Sequence, residues 1–226
     1  MEERVMERKM AIMFLGPPGS GKGTQAKMLA DKFGFFHFIT SQVGKDYINT
    51  HNDPETKMQM EIYKKGILFE PSWTLKVVKE KTQEIFNQGK GIVYDGSPRT
   101  LYEAERLYFF LAKLFGKENI RILEIAADGK ELKKRLEKRL ICSEESSHVF
   151  IRSGELYPGV SCPKDGGGIL QERDLDKKEL FETRMDEYKN RTVPGLEFLR
   201  NHHGVITING EQSIENVHKE ILSKLI

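Results

Sequence analysis

The stretch Ala11-Ile12-Met13-Phe14-Leu15-Gly16-Pro17-Pro18-Gly19-Ser20-Gly21-Lys22-Gly23-Thr24 decides the fold. Its first five residues are apolar and too few for a helix, so they predict a buried strand. The glycines that follow let the backbone turn tightly, so that successive N–H groups converge on phosphate oxygens. An amphipathic stretch at Gly23–Phe33 comes next and predicts a helix whose positive N-terminal end points at the same place. Lys22 supplies charge for β- and γ-phosphates, and Thr24 a hydroxyl for magnesium. The general pattern sets Ser or Thr directly after the lysine, and here Gly23 intervenes. Pro18, Gly19, Ser20, Gly21, Lys22, Gly23 and Thr24 are therefore the expected cradle for a nucleoside triphosphate.

Short apolar runs recur at Phe35–Ile39, Gly91–Tyr94, Ile120–Ala126 and Gly204–Ile208. Helix-like stretches separate them: Pro71–Asn87, Thr100–Leu114, Gly129–Leu140, Lys177–Arg200 and Ser213–Leu225. Such alternation predicts right-handed crossovers and a parallel sheet covered on both faces. The third run ends in Asp95, the expected place for a carboxylate that holds magnesium through its water shell. Two segments break the rhythm. Residues 40–70 are polar and helical in character, with a break at Asn52-Asp53-Pro54; residues 141–172 are rich in turn residues and carry a triple glycine at Gly166–Gly168.

Composition excludes several classes. A chain of 226 residues is long enough for one core with insertions. Its 36 basic and 34 acidic residues nearly cancel, so no global charge draws it to nucleic acid. No apolar run approaches the roughly 20 residues of a membrane span. Met1 to Lys9 lacks the apolar centre of a signal peptide, which leads us to expect a cytoplasmic protein. Two cysteines are too few for a disulfide framework.

The loop Gly16-Pro17-Pro18-Gly19-Ser20-Gly21-Lys22-Gly23-Thr24-Gln25-Ala26 resembles that of the adenylate kinase family, including the glycine between Lys22 and Thr24. Asp95-Gly96-Ser97-Pro98-Arg99 resembles that family's Asp-Gly-Phe-Pro-Arg signature, with Ser97 in place of phenylalanine. Arg135 and Arg139 resemble its arginine pair before a mobile lid, and Arg173 and Arg184 the pair after it. The resemblance runs from about Met10 to the C-terminus. It implies an α/β fold of the P-loop NTPase type, with a five-stranded parallel sheet flanked by helices. The core would take residues 1–39, 71–140 and 173–226, a helical monophosphate-binding insertion 40–70, and a small lid 141–172. It also implies a monomer that binds ATP and a nucleoside monophosphate with magnesium. Lys22, Arg99, Arg139, Arg173 and Arg184 would surround the transferring phosphoryl group, since the arginine fork bonds two phosphate oxygens at once. Arg135 would cover the base, Gln212 would join the triphosphate side, and Thr40, Ser41 and Phe69 would join the monophosphate side.

Three departures from the family pattern stand out. Aligning Ile39-Thr40-Ser41 with the family's strand end puts Asp46 where an arginine grips the acceptor's phosphate, and Lys45 one residue earlier. One helical residue is a rotation of about 100°, so Lys45 does not simply inherit that geometry. Glu103 stands where adenylate-specific members carry a base-reading glutamine; a carboxylate only accepts, which points either to an altered base preference or to a solvent-facing side chain. In the lid, Cys142 with Glu145 and Cys162 with Asp165 resemble a zinc knuckle pair with two cysteines replaced, and Ser146 or His148 compete with Glu145. Both a structural zinc ion and a metal-free lid fit this spacing.

Two other readings stay open beside a monophosphate kinase. One is a different P-loop small-molecule kinase or NTPase, motivated by the missing arginine. The other is a nucleotide-binding regulatory protein with little catalysis.

Overall fold

The computed structural model describes residues 9–145, 147–164 and 166–225. Strand β1 (Ala11–Leu15) lies mid-sheet, followed by α1 (Lys22–Phe33), β2 (Phe36–Ile39), α2 (Thr40–Thr50) and α3 (Pro54–Lys64). Then come α4 (Pro71–Asn87), β3 (Ile92–Asp95), α5 (Leu101–Phe115), β4 (Ile120–Ala126) and α6 (Gly129–Glu137). A three-stranded antiparallel sheet of β5 (Arg139–Cys142), β6 (Val149–Ile151) and β7 (Leu170–Gln171) interrupts the alternation, in the order β6-β5-β7. The chain closes with α7 (Lys178–Glu187), a π-helical turn (Tyr188–Thr192), α8 (Val193–His203), β8 (Ile206–Asn209) and α9 (Ile214–Leu225).

The main sheet is five-stranded and parallel, in the order β2-β3-β1-β4-β8. Side-chain alternation along β1 explains its burial on both faces. Ala11, Met13 and Leu15 join α4, α5 and α8 through Val78, Leu107 and Leu199, while Ile12 and Phe14 join α1 and α9 through Leu29 and Ile221. Because β1 has β3 on one side and β4 on the other, its C-terminal end opens at the switch point where ligands bind in such sheets. Asp95 is registered with Phe14 and with Ile39, so the ends of three strands meet there.

Some boundaries differ from expectation. The helix predicted to Leu140 ends at Glu137, and Leu140 is a fully buried strand residue in a separate small core with Cys142, Cys162 and Leu170. The helix predicted over Lys177–Arg200 is broken by the π-helical turn and reaches His203. Residues 40–70 hold two helices, the second capped by the Asp53 carboxylate, which accepts from the Thr56 N–H at 2.9 Å. No helix among the described residues is long and apolar enough to cross a membrane.

Candidate active site

The phosphate loop links β1 to α1. Gly21, the N-cap of α1, has φ +93, a left-handed conformation that L side chains rarely adopt, and no side chain among the described residues caps the helix. The first N–H groups of α1 are thus presented to an anion rather than to a capping oxygen. Gly23 is needed for space: a Cβ there would stand 2.8 Å from Asp95 Oδ2. That contact explains the residue inserted between Lys22 and Thr24. The Ser20 hydroxyl is buried with no hydrogen-bond partner among the described residues, which fits a ligand oxygen inside the loop. Lys22 Nζ donates to the Pro17 carbonyl at 3.2 Å. Burial pulls its pKa down to about 7, opposed by Asp95 and assisted by Arg99, Arg184 and Arg139.

One cavity of about 750 Å³ gathers the loop and the other predicted residues. Pro18, Gly19, Ser20, Gly21, Lys22, Gly23, Thr24, Asp95, Arg135, Arg139 and Gln212 line it, as do Thr40, Ser41, Lys45, Phe69, Arg99, Glu103, Arg173 and Arg184. The arginines are held from behind. Arg139 donates Nε to Asp176 Oδ2 at 2.7 Å and Nη2 to Oδ1 at 2.5 Å, while Arg184 Nη1 donates to the same Oδ1 at 2.9 Å and to the Leu175 carbonyl at 2.8 Å. Burial lowers the pKa of Arg184 to about 9, and Arg173 and Arg139 push it the same way. Burial also lowers that of Arg139, against the charge of Asp176. Arg99 Nε donates to Gly96 O at 2.9 Å, and its own carbonyl accepts from the Thr192 hydroxyl at 2.9 Å. Arg135 donates Nε to Glu131 at 2.9 Å and Nη1 to Gly210 O at 2.8 Å, two residues before Gln212, which also lines the cavity.

On the monophosphate side, where Lys45 is the residue expected to serve, helix phase separates it from Asp46. Lys45 lines the cavity, whereas Asp46 is exposed and accepts from Gln42 Nε2 at 2.8 Å. The position that faces the site belongs to lysine, and the repulsive aspartate points away. Thr40 is turned toward β3, donating to Asp95 O at 3.2 Å and pairing with the Ser97 hydroxyl at 2.8 Å. Phe69 is buried against Trp73 and Tyr63, so only part of its ring reaches the cavity.

Glu103 does not face solvent. It is 2% exposed, and its Oε2 accepts from the Arg99 N–H at 3.0 Å while Oε1 accepts from the Thr100 hydroxyl at 3.0 Å. Thr100 in turn accepts from the Glu103 N–H at 3.2 Å. Thr100 thus caps α5, while Glu103 reaches back one residue beyond the N-cap that a capping box would engage, and this Thr-x-x-Glu signature stands in the sequence beside the arginine whose N–H it holds. Burial raises the Glu103 pKa despite these bonds and the nearby Arg99 charge.

Sequence reasoning missed several cavity residues. His37 on β2 lies with Nε2 3.9 Å from Asp95 Oδ2, buried and without a hydrogen-bond partner among the described residues, and burial lowers its pKa. Tyr63, Tyr188 and Thr192 also line the cavity and carry no local sequence signal for it, and neither does Asp176, which backs Arg139 and Arg184 from outside the lining. Tyr188 and Thr192 come from the π-helical turn, which widens one turn of helix over the cavity.

The small sheet holds a second cluster. One ligand atom each from Cys142, His148 and Cys162 lies within 4.8 Å of the others, and Cys162 Sγ is 3.6 Å from His148 Nδ1. Tetrahedral zinc with sulfur and nitrogen ligands needs ligand atoms about 3.3–3.8 Å apart; the Cys162–His148 pair has that spacing, and two thiols with an imidazole are donors of the right chemistry for that ion. Glu145 is outside this group: its carboxylate accepts from the Ser147 N–H at 3.0 Å, a bond that also lowers its pKa. His148 takes the place expected for Glu145. The other expected ligand, Asp165, and the competitor Ser146 lie outside the described residues.

A P-loop at the switch point of a parallel α/β sheet, facing a cavity walled by Lys22 and five arginines, defines a phosphoryl-transfer enzyme. The family model for adenylate kinase matches residues 14–204. The adenylate kinase of Methanothrix thermoacetophila is 35% identical over 214 residues, covering 94% of this chain and 96% of its own. Those of Borrelia duttonii and Fervidobacterium nodosum are 35% and 31% identical over 224 and 223 residues, each covering 96% of this chain and 99% and 97% of their own. The chain belongs to the adenylate kinase family and is a nucleoside monophosphate kinase.

Proposed function

We propose that the enzyme transfers the γ-phosphoryl group of ATP to AMP, giving two ADP. The observation that carries this reading is the convergence of Lys22, Arg99, Arg139, Arg173 and Arg184 on one cavity that reaches from the phosphate loop to Lys45 and Ser41. Phosphoryl transfer requires in-line positioning and charge neutralisation more than covalent chemistry, and these five side chains supply both. Thr24 and Asp95 would hold magnesium, which when bound neutralises charge between the β- and γ-phosphates. Adenine is the expected acceptor base because the relatives matched over nearly the whole chain are adenylate kinases. The engagement of both Glu103 oxygens at the start of α5 weakens the case for a guanine reader.

The β5–β7 sheet contributes Ile141, Val149, Ile151 and Gln171 to the cavity wall. We read it as a lid that closes over the triphosphate and keeps out water that would otherwise hydrolyse it. Cys142, His148 and Cys162 would hold a structural zinc ion in that lid. By the same resemblance, the enzyme works as a cytoplasmic monomer.

A coupled assay with ATP, magnesium and AMP, GMP, CMP or UMP tests the reading. Turnover is expected with AMP foremost. ADP released without any acceptor would make the chain an NTPase instead, and tight ATP binding without turnover would make it a regulator.

A further inference from the structure

The acceptor half is one-sided as described so far: Lys45 gives a point charge where a planar fork would hold two phosphate oxygens. A second group stands beside it. Tyr63, on α3, lines the cavity, and its ring stacks on Phe69 with centroids 5.3 Å apart and planes 22° apart. Phe69 is itself wedged edge-on against Trp73, at 5.2 Å and 60°. The phenol is thus anchored by its ring, and its oxygen is aimed by packing rather than by a flexible stem. Lys45 Nζ lies 5.9 Å from the Tyr63 ring centroid. The Arg173 and Ser41 side chains approach the phenol oxygen.

Four residues from three separate parts of the chain therefore surround one spot: Ser41 and Lys45 on α2, Tyr63 on α3, and Arg173 after β7. Two of them carry positive charge and the other two carry hydroxyl groups that can donate. The electrostatics agree. Burial alone would raise the Tyr63 pKa, yet the charges of Arg173 and Lys45, with the contacts from Arg173 and Ser41, outweigh it and lower the value. A phenol in such a field is set to donate to an anion.

We propose that the Tyr63 hydroxyl is a direct ligand of the acceptor's phosphate, donating beside the Lys45 ammonium. Together they form a split fork, one prong charged and one neutral, that replaces the single guanidinium expected on α2. The proposal rests on the phosphoryl-transfer reading above. Arg173 then bridges this site to the transferring group, because it lines the same cavity as Lys22, Arg139 and Arg184.

Tyr63→Phe removes one oxygen and keeps the stack on Phe69, so it separates ligation from packing. Initial rates would be measured against AMP at saturating Mg-ATP, and against ATP at saturating AMP. The KM for AMP should rise about tenfold or more, the usual effect of losing a hydrogen bond to a charged group. The KM for ATP should stay within about twofold. Lys45→Met should raise the KM for AMP as well, and the double variant should lose less than the product of the two single losses, since the pair grips one phosphate. An unchanged KM for AMP in Tyr63→Phe would overturn the proposal, and so would an equal rise for both substrates. A wild type that turned over no monophosphate would sink the kinase reading and the Tyr63 role together. An active wild type matched by Tyr63→Phe would sink the Tyr63 role alone.

Discussion

Asp176 clasps the Arg139 guanidinium with both carboxylate oxygens, at 2.7 and 2.5 Å, and does so from a position where its side chain is only 6% exposed. The same carboxylate also holds Arg184. One buried anion therefore fixes two of the cations that line the cavity.

Removing that anion should uncover the repulsion between them. Asp176→Asn leaves two buried guanidinium groups without their shared carboxylate, and breaking such a buried pair costs about 3 kcal/mol. Urea unfolding should show that loss in the ligand-free protein. Mg-ATP should then stabilise the variant more than it stabilises the wild type, because the triphosphate brings the missing negative charge. Equal ligand-induced shifts in melting temperature for the two proteins would contradict this account.

Charge placed for the transition state should show in turnover. Lys22→Met and Arg139→Ala should each lower kcat by about 100- to 1,000-fold, the range found when one preorganised donor to developing charge is removed. Stopped-flow or steady-state rates at saturating substrates would measure it. A change confined to KM would mean that these side chains bind the ground state and transition state alike.

Glu103 gives a prediction about pH. Burial raises its carboxyl pKa above the ordinary 4.5. A group raised in the folded state lends its stability fully below the unfolded pKa, and that contribution is lost as pH rises through the folded value. Wild-type stability, compared with Glu103→Gln, should therefore fall as the pH rises above 4.5. Glutamine keeps an acceptor at this helix start and does not titrate, so Glu103→Ala should lie about 1 kcal/mol below Glu103→Gln at every pH. Urea midpoints across the pH series would test both parts, and parallel curves for wild type and Glu103→Gln would count against the buried-carboxyl explanation.

The small sheet offers a test by metal analysis. Protein purified without chelator should carry about one zinc per chain, and stripping it should lower the melting temperature, since a structural zinc site contributes folding energy. His148→Ala should lose the metal and Glu145→Gln should keep it. Elemental analysis of the two variants distinguishes the observed set from the one that spacing alone suggests. Metal retained by His148→Ala and lost by Glu145→Gln would reverse the assignment.

The main sheet and the phosphate loop were readable because both are local. A buried parallel strand is a short apolar run, and the loop is a contiguous glycine-rich turn between strand and helix, so neither needs knowledge of distant contacts. Asp95 was readable for the same reason, standing at the end of its own strand. The Thr100-x-x-Glu103 motif at the start of α5 is equally local.

What the tertiary structure decided lies between elements. Whether Lys45 or Asp46 meets the ligand depends on the phase of α2 against α4 and the sheet, and a one-residue change in phase swings a side chain by about 100°. His148 replaces Glu145 because loop closure between β5 and β6 brings it to Cys162 and turns the glutamate back onto Ser147. Tyr63, His37 and Asp176 meet Lys45, Asp95 and Arg139, which no local pattern links to them. The sequence by itself determined a P-loop fold and the phosphate loop, where the chemistry is written in consecutive residues. Side-chain packing across α2, α3 and the small sheet decided that Lys45 and Tyr63 line the cavity and that His148 joins Cys142 and Cys162, because those contacts join residues that no local pattern links.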